Sequence, residues 1–358
     1  MHSDFATTMD DQKNLRYKIP LPLKAITGSI ASCIYESGSC RYSNADIATT
    51  IVMVAVNNTS LASVARSPDS DTVLWRIREG LTFEKAEKLV KTQKPPKGTH
   101  IKVLLDGHDK MFYGRDALGL VGTKPKRGTS RAFKYLVAFN SNAPKGIVAL
   151  REMFDGSVTN DATDMIKELL NDYVIDVVIA DGEFYKAEFV DFLSKAKIPF
   201  IIRRTNTGNM RELGAKYNAP FFYETDVERA GGRTIHLRYW VYRCKGKDGD
   251  FFLVSSMKKD VKKIRKMFSG RWEIETGFRE VNRVRIKTTT RDFLVRLFFY
   301  IVSCIVYNLW QRIRFRFNLF VVRLDEMVEN VISFVKEATF RAADIFGAAR
   351  RRHVRLRI

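Results

Sequence analysis

Cysteine is scarce in this chain of 358 residues. There are four (Cys33, Cys40, Cys244, Cys304), and none falls in a CxxC pair. That spacing gives no zinc site and no disulfide framework, and it fits a reducing, cytoplasmic setting. The N-terminus lacks the basic stretch and apolar core of a secretory signal. Long apolar runs are also missing. The longest, Phe293–Trp310, is broken by Arg296, and only Leu297–Trp310 is free of charge. A bilayer span needs ~20 apolar residues, so this segment reads as a buried core helix and no membrane partner is expected. Internal repeats are absent. Acidic residues are in deficit: 40 against 61 Lys and Arg, a net +21, with a pI of about 9.8. A surplus of that size points to a polyanionic partner, because each neutralised phosphate releases counterions.

What is present is organised in blocks. Residues 1–93 read as helical. Within Thr59–Leu81, Leu61, Val64 and Ala65 keep a helical period until Ser67-Pro68-Asp69 breaks it. Asp71 or Ser70 can cap a second helix near Thr72. Two short helices around a tight turn make a candidate helix-turn-helix, with Arg76 and Arg78 as candidate DNA contacts; plain helical packing gives the same pattern. Lys91–His100, with two prolines, marks a boundary. Then come three strands (Ile101–Gly107, Ala132–Asn140, Lys145–Phe154), a helix (Thr159–Tyr173), a strand (Val174–Gly182), a helix (Lys186–Lys197) and a strand (Ile198–Thr205). Antiparallel strands followed by αβ units is the order of the ribonuclease H-like fold. Residues 205–258 read as an inserted β-rich domain, with hairpin turns at Gly231-Gly232 and Gly246–Gly249. Residues 259–315 read as the second part of the core, and 316–358 as a helical region ending in the basic tail Arg350–Ile358.

Asp106 and Asp181 each end an apolar strand, where a side chain can leave the core and reach a ligand. Glu275 sits in the helical segment Phe268–Arg285. The spacings are 75 and 94 residues. Three separated carboxylates suit two Mg²⁺ ions, with Mn²⁺ able to substitute. Such a pair serves in-line phosphoryl displacement. Each acid also has a purely structural reading. Asp106 can cap the turn after its strand, Asp181 the helix that follows it, and Glu275 can pair with Arg271 or Arg279. Glu273, whose side chain points about 160° away from that of Glu275, is the alternative third ligand. His108 and Glu183, each two residues from an acid, are candidates for orienting water or for outer-sphere metal contact.

Three segments, LLDGHDKMFYG around Asp106, ADGEFY with FVDFLSKAKIPFIIRR around Asp181, and Phe268–Trp310 around Glu275, carry a resemblance to DDE transposases of the insertion sequence four family, spanning Ile101 to about Trp310. The family's signature runs Tyr, Arg, Glu, Lys; those places here hold Phe268, Arg271, Glu275 and Asn282. Arg and Glu match in type and spacing. Phe268 can stack but cannot donate a hydrogen bond, and Asn282 carries no charge. Arg279 and Arg283 flank Asn282 and can restore positive charge. The resemblance implies an α/β, ribonuclease H-like mixed sheet with an inserted β-rich domain and an N-terminal DNA-binding domain. It implies catalysis by Asp106, Asp181, Glu275 and Arg271, with the three acids holding the metals. DNA contacts are expected from Phe268, Arg279, Asn282, Arg283 and Trp240, the last because basic and aromatic residues interleave in the β-rich passage. It further implies strand cleavage at transposon terminal inverted repeats, strand transfer into target DNA, and a homodimer on paired ends. A related nuclease without strand transfer, or a transposase-derived DNA-binding protein that no longer cuts, are the other readings.

Overall fold

Val174–Ala180 is apolar and rich in β-branched residues. Such a strand belongs inside a sheet covered on both faces. In the computed structural model it is β5, flanked by two parallel neighbours: β1 (His100–Met111) and β6 (Phe200–Arg204). The structure describes residues 20–316 apart from 37, 39–40, 65–68, 92–94, 127, 154–157, 205–209, 211, 213–215, 218 and 248. They divide into two compact units, one within residues 93–279 and one within 1–92 and 280–358.

The first of these holds the sheet. β3 (Thr129–Asn140) runs antiparallel to β1, and its far edge is shared end to end by β2 (Val121–Lys126) and β4 (Gly146–Glu152). The strand β2 escapes a hydrophobic-pattern reading because Val-Gly-Thr-Lys-Pro-Lys is a polar, largely exposed edge that touches β3 at only three register positions. Helix α6 (Val158–Leu170) buries Ala162, Met165, Ile166 and Leu169, one stripe at helical spacing. These residues and Val190 and Leu193 of α7 (Ala187–Lys195) share a core with Val103, Leu105, Val178 and Ala180 of the sheet.

The β-rich passage does not stand apart. Strand β9 (Gly249–Ser255) pairs antiparallel with β6, followed by β8 (Thr234–Gly246) and then β7 (Phe221–Glu228), so one nine-stranded sheet runs through both regions. The physical reason lies in β9. Its end, Phe252–Ser255, is buried at every position, as suits a strand with neighbours on both sides. The β8–β9 hairpin closes at Gly246 opposite Gly249. Gly249 has φ +108°, and a Cβ on Gly246 would meet the Gly249 carbonyl at 2.9 Å. Helices α8 (Val261–Ser269) and α9 (Trp272–Arg283) follow.

The helical unit comprises α1 (Pro20–Ala31), α2 (Asn44–Val56), α3 (Leu61–Val64), α4 (Ser70–Gly80), α5 (Phe83–Lys91) and α10 (Phe293–Arg316) among the described residues. By length and composition α10 is apolar enough to cross a membrane, but most of its side chains are buried within the protein. It packs against α1, α2, α4 and α5. The sequence division that grouped 259–315 with the sheet is therefore corrected: the boundary falls at Arg279/Glu280. A helix apolar on all sides must be surrounded, and here the N-terminal helices surround it. The cap of α4 is Asp69, whose carboxylate accepts from the Asp71 and Thr72 amides, rather than Ser70 or Asp71. The expected turn at Ser67-Pro68 and the basic tail lie outside the described residues.

Candidate active site

The parallel pairing of β1 with β5 ends at Leu105 opposite Ala180. Asp106 and Asp181 are the next residue on each strand, so the register brings them side by side where the two strands part. β1 itself continues to Met111 along β3, so Asp106 lies within that strand rather than at its end. The local structural readings of both acids are realised too. Asp106 accepts from the Gly107 amide at 2.9 Å, and Asp181 accepts from the Gly182 amide at 2.8 Å, capping a short 3-10 turn.

The third acid arrives from the start of α9. Gly270 and Arg271 form the turn between α8 and α9, and Glu275 sits in the first turn of α9. Arg271 stands among all three carboxylates. Its Nη1 is 3.2 Å from Asp106 Oδ2, and its Nη2 is 2.8 Å from Glu275 Oε1 and 3.9 Å from Asp181 Oδ2. The guanidinium side chain is 12% exposed, and its Nε is buried with no hydrogen-bond partner. Burial pushes the Asp106 carboxyl up, to about 7, against the pull of Arg271 and the Gly107 amide; Asp181 and Glu183 push the same way. A site so rich in negative charge requires a cation, and here Arg271 supplies it. Three carboxylates thus face one positive centre, and carboxylate oxygens are the donors that hard divalent cations take. As they stand around Arg271, no three acidic, His or Cys side chains among the described residues are disposed to hold one ion.

Glu273, the alternative third ligand, instead pairs with Lys145 at 3.1 Å. Glu183 is 3.3 Å from Lys134. His108 is stacked on Phe278, with ring centroids 4.1 Å apart, and burial holds its pKa well below the ordinary value, so it is a neutral packed ring. Phe268 lies beside the site: the Arg271 guanidinium is 5.9 Å from its ring and Phe251 is 6.3 Å away. An open cleft next to Asp181 is lined by Gly182, Glu183, Arg203, Arg204, Asp250 and Phe251. Of these, Arg203 lies over the Phe251 ring at 5.5 Å. The sequence signal for the cleft was the Arg203-Arg204 pair closing an otherwise apolar strand.

The remaining candidates are placed elsewhere. Arg76 is corrected: it is 1% exposed, and its guanidinium donates to the carbonyls of Tyr35 (3.0 Å) and Tyr42 (2.7 Å) and to Asn44 Oδ1. Its donors are spent on tying helices together, so it cannot touch DNA. Arg78 is half exposed and pairs with Asp292 at 3.4 Å. Trp240 lies on the outer face of β8 beside Phe222, with Lys258 Nζ 4.9 Å from its ring centre. Arg279 is exposed and donates to Thr276. Asn282 is half-buried, and Arg283 pairs with Glu280 at 3.3 Å.

Residues 155–309 match the family model described as the transposase DDE domain. That span takes in Asp181 and Glu275 and begins after Asp106. Among solved structures, the chain is similar to piggyBac transposase in a cryo-EM structure of its synaptic complex with hairpin DNA. Identity is 16% and the TM-score 0.58, covering 87% of this chain and 78% of that one. The likeness shows the fold, a ribonuclease H-like mixed α/β sheet. No curated protein matches the chain.

Proposed function

We propose that this protein is a DDE transposase of the insertion sequence four type, with Asp106, Asp181 and Glu275 as its metal-holding acids. The observation that carries the reading is the convergence of these three carboxylates, from three distant segments, on one buried cation. The transposase domain match over residues 155–309 supports it. Divalent ions held by these acids, Mg²⁺ or Mn²⁺, would supply the activation of an attacking oxygen and the stabilisation of a leaving oxygen. The chain's own residues do the rest. Desolvation at Asp106 makes the site pay for every unbalanced negative charge, so it selects for cations. Arg271, released from the carboxylates, keeps two parallel N–H donors for a phosphate oxygen, which a lysine cannot present. Phe268 offers a ring face beside it.

In this reading the enzyme frees a 3′-OH at transposon ends and uses it to attack target DNA, as a homodimer on paired ends. The test uses DNA carrying the gene's own flanking sequences, a target plasmid and Mg²⁺. Cleaved ends covalently joined to the plasmid are expected. Cleavage without joining would reduce the reading to a nuclease. Stable binding without cleavage would reduce it to a DNA-binding protein.

A further inference from the structure

Helix α8 and the residues just before it carry a dense run of basic side chains. Lys258, Lys259, Lys262, Lys263, Arg265 and Lys266 are all exposed, and none makes an ion pair among the described residues. The only acid nearby in sequence, Asp260, is spent as the N-cap, accepting from the Lys262 amide at 2.7 Å. Ile264, fully buried, anchors the helix against β8 and leaves the cationic residues facing outward.

The neighbouring elements show what an ordinary charged surface looks like here. On α6 Lys167 pairs with Asp164, and on α7 Lys195 pairs with Asp191. On β8, Arg238 pairs with Glu224 and Arg243 with Asp250. Three basic residues of the β-rich passage, Arg229, Arg238 and Arg243, are thus neutralised within the protein. Those of α8 are not, although like charges at i,i+3 and i,i+4, such as Lys262 with Arg265 and Lys266, destabilise a helix. A helix that keeps this repulsion gains when a polyanion covers it. Lys258 extends the patch to the Trp240 ring.

We infer that α8 is a DNA-backbone docking surface, which sets phosphates of the bound duplex against the protein one turn of chain before Arg271 and Glu275. This rests on the reading of the protein as a DNA-processing enzyme, and it places the contact on α8 rather than on the arginines of β8. Phosphate contacts position a duplex without reading its sequence, so the surface would hold transposon ends and target DNA alike.

The test measures affinity of the full-length protein for a short random-sequence duplex across about 50–200 mM salt. Each lost phosphate contact removes about 0.9 from the slope of log K against log salt. The variant carrying Lys262→Gln, Lys263→Gln, Arg265→Gln and Lys266→Gln is expected to lose about 3–4 from that slope. A control with Arg238→Gln and Arg243→Gln is expected to change it by less than about one. If the fourfold variant does not fold, Lys262→Gln and Lys266→Gln singly should each remove about one. Wild-type binding with a slope that the α8 variants leave unchanged overturns this inference alone, as does an equal loss in the β8 control. A wild-type protein that binds no duplex overturns the proposed function with it.

Discussion

In the proposed reading Arg271 sits where a divalent cation would bind, so two opposite effects should separate when it is removed. With Arg271→Ala, the competing charge 2.8–3.9 Å from the carboxylates is gone. Mn²⁺ binding, read by titration calorimetry, should tighten by about ten-fold. Single-turnover DNA cleavage should fall by about 100-fold or more, because the phosphate loses a two-pronged partner. Weaker Mn²⁺ binding in this variant would mean that Arg271 assembles the acids instead of occupying their site. Asp106 allows a second test through pH. Its folded pKa, about 7, lies above the ordinary 3.8. Below pH ~4 the carboxyl is protonated in both states and costs nothing. As pH rises from there to about 7, only the unfolded chain ionises freely, and stability falls. Asp106→Asn escapes that cost. In chelator it should melt higher than wild type at pH 8, by about 2–4 kcal/mol equivalent, with a smaller difference at pH 5. Equal melting of the two proteins at both values would contradict the desolvation argument. The clustering of Asp106 and Asp181 was legible in the sequence because each follows an apolar run, Ile101–Leu105 and Val174–Ala180. The burial of Arg76 was not, since its acceptors at Tyr35, Tyr42 and Asn44 lie 32–41 residues away.

At the scale of elements, that arginine turns α4 from a presumed reading head into a keystone of the helical unit. Arg76→Ala empties a fully buried side-chain site and leaves three part-buried acceptors without that donor, and it should cost about 3 kcal/mol or more in thermal or urea unfolding. Arg78→Ala, removing a half-exposed ion pair, should cost no more than about 1 kcal/mol. Near-equal losses would show that Arg76 is not holding the unit together. The strands β1, β3, β4, β5 and β6 were legible from apolar runs and turns. Two features were not. β2 is a polar edge with no hydrophobic period, and the hairpin signals in the β-rich passage show where strands turn without showing which sheet edge they join. Likewise, the uniform apolarity of α10 announced that it is buried, while leaving its partners, the N-terminal helices, to the tertiary fold.

For the molecule as a whole, the net charge is +21; among the described residues Arg238 and Arg243 on β8 are ion-paired, while the basic residues of α8 make no ion pair. In the proposed reading, the three carboxylates brought together by the strand register and the α8–α9 turn hold the metal for DNA cleavage. The most direct measurement is the Mg²⁺-dependent nicking rate of Asp106→Asn, Asp181→Asn, Glu275→Gln and Glu273→Gln on one DNA substrate, with DNA affinity measured in parallel. The first three should each lose about 100-fold or more while still binding DNA. Glu273→Gln, which removes only the partner of Lys145, should stay within about ten-fold of wild type. Wild-type nicking by Asp106→Asn, Asp181→Asn or Glu275→Gln, or loss of activity in Glu273→Gln alone, would contradict the account.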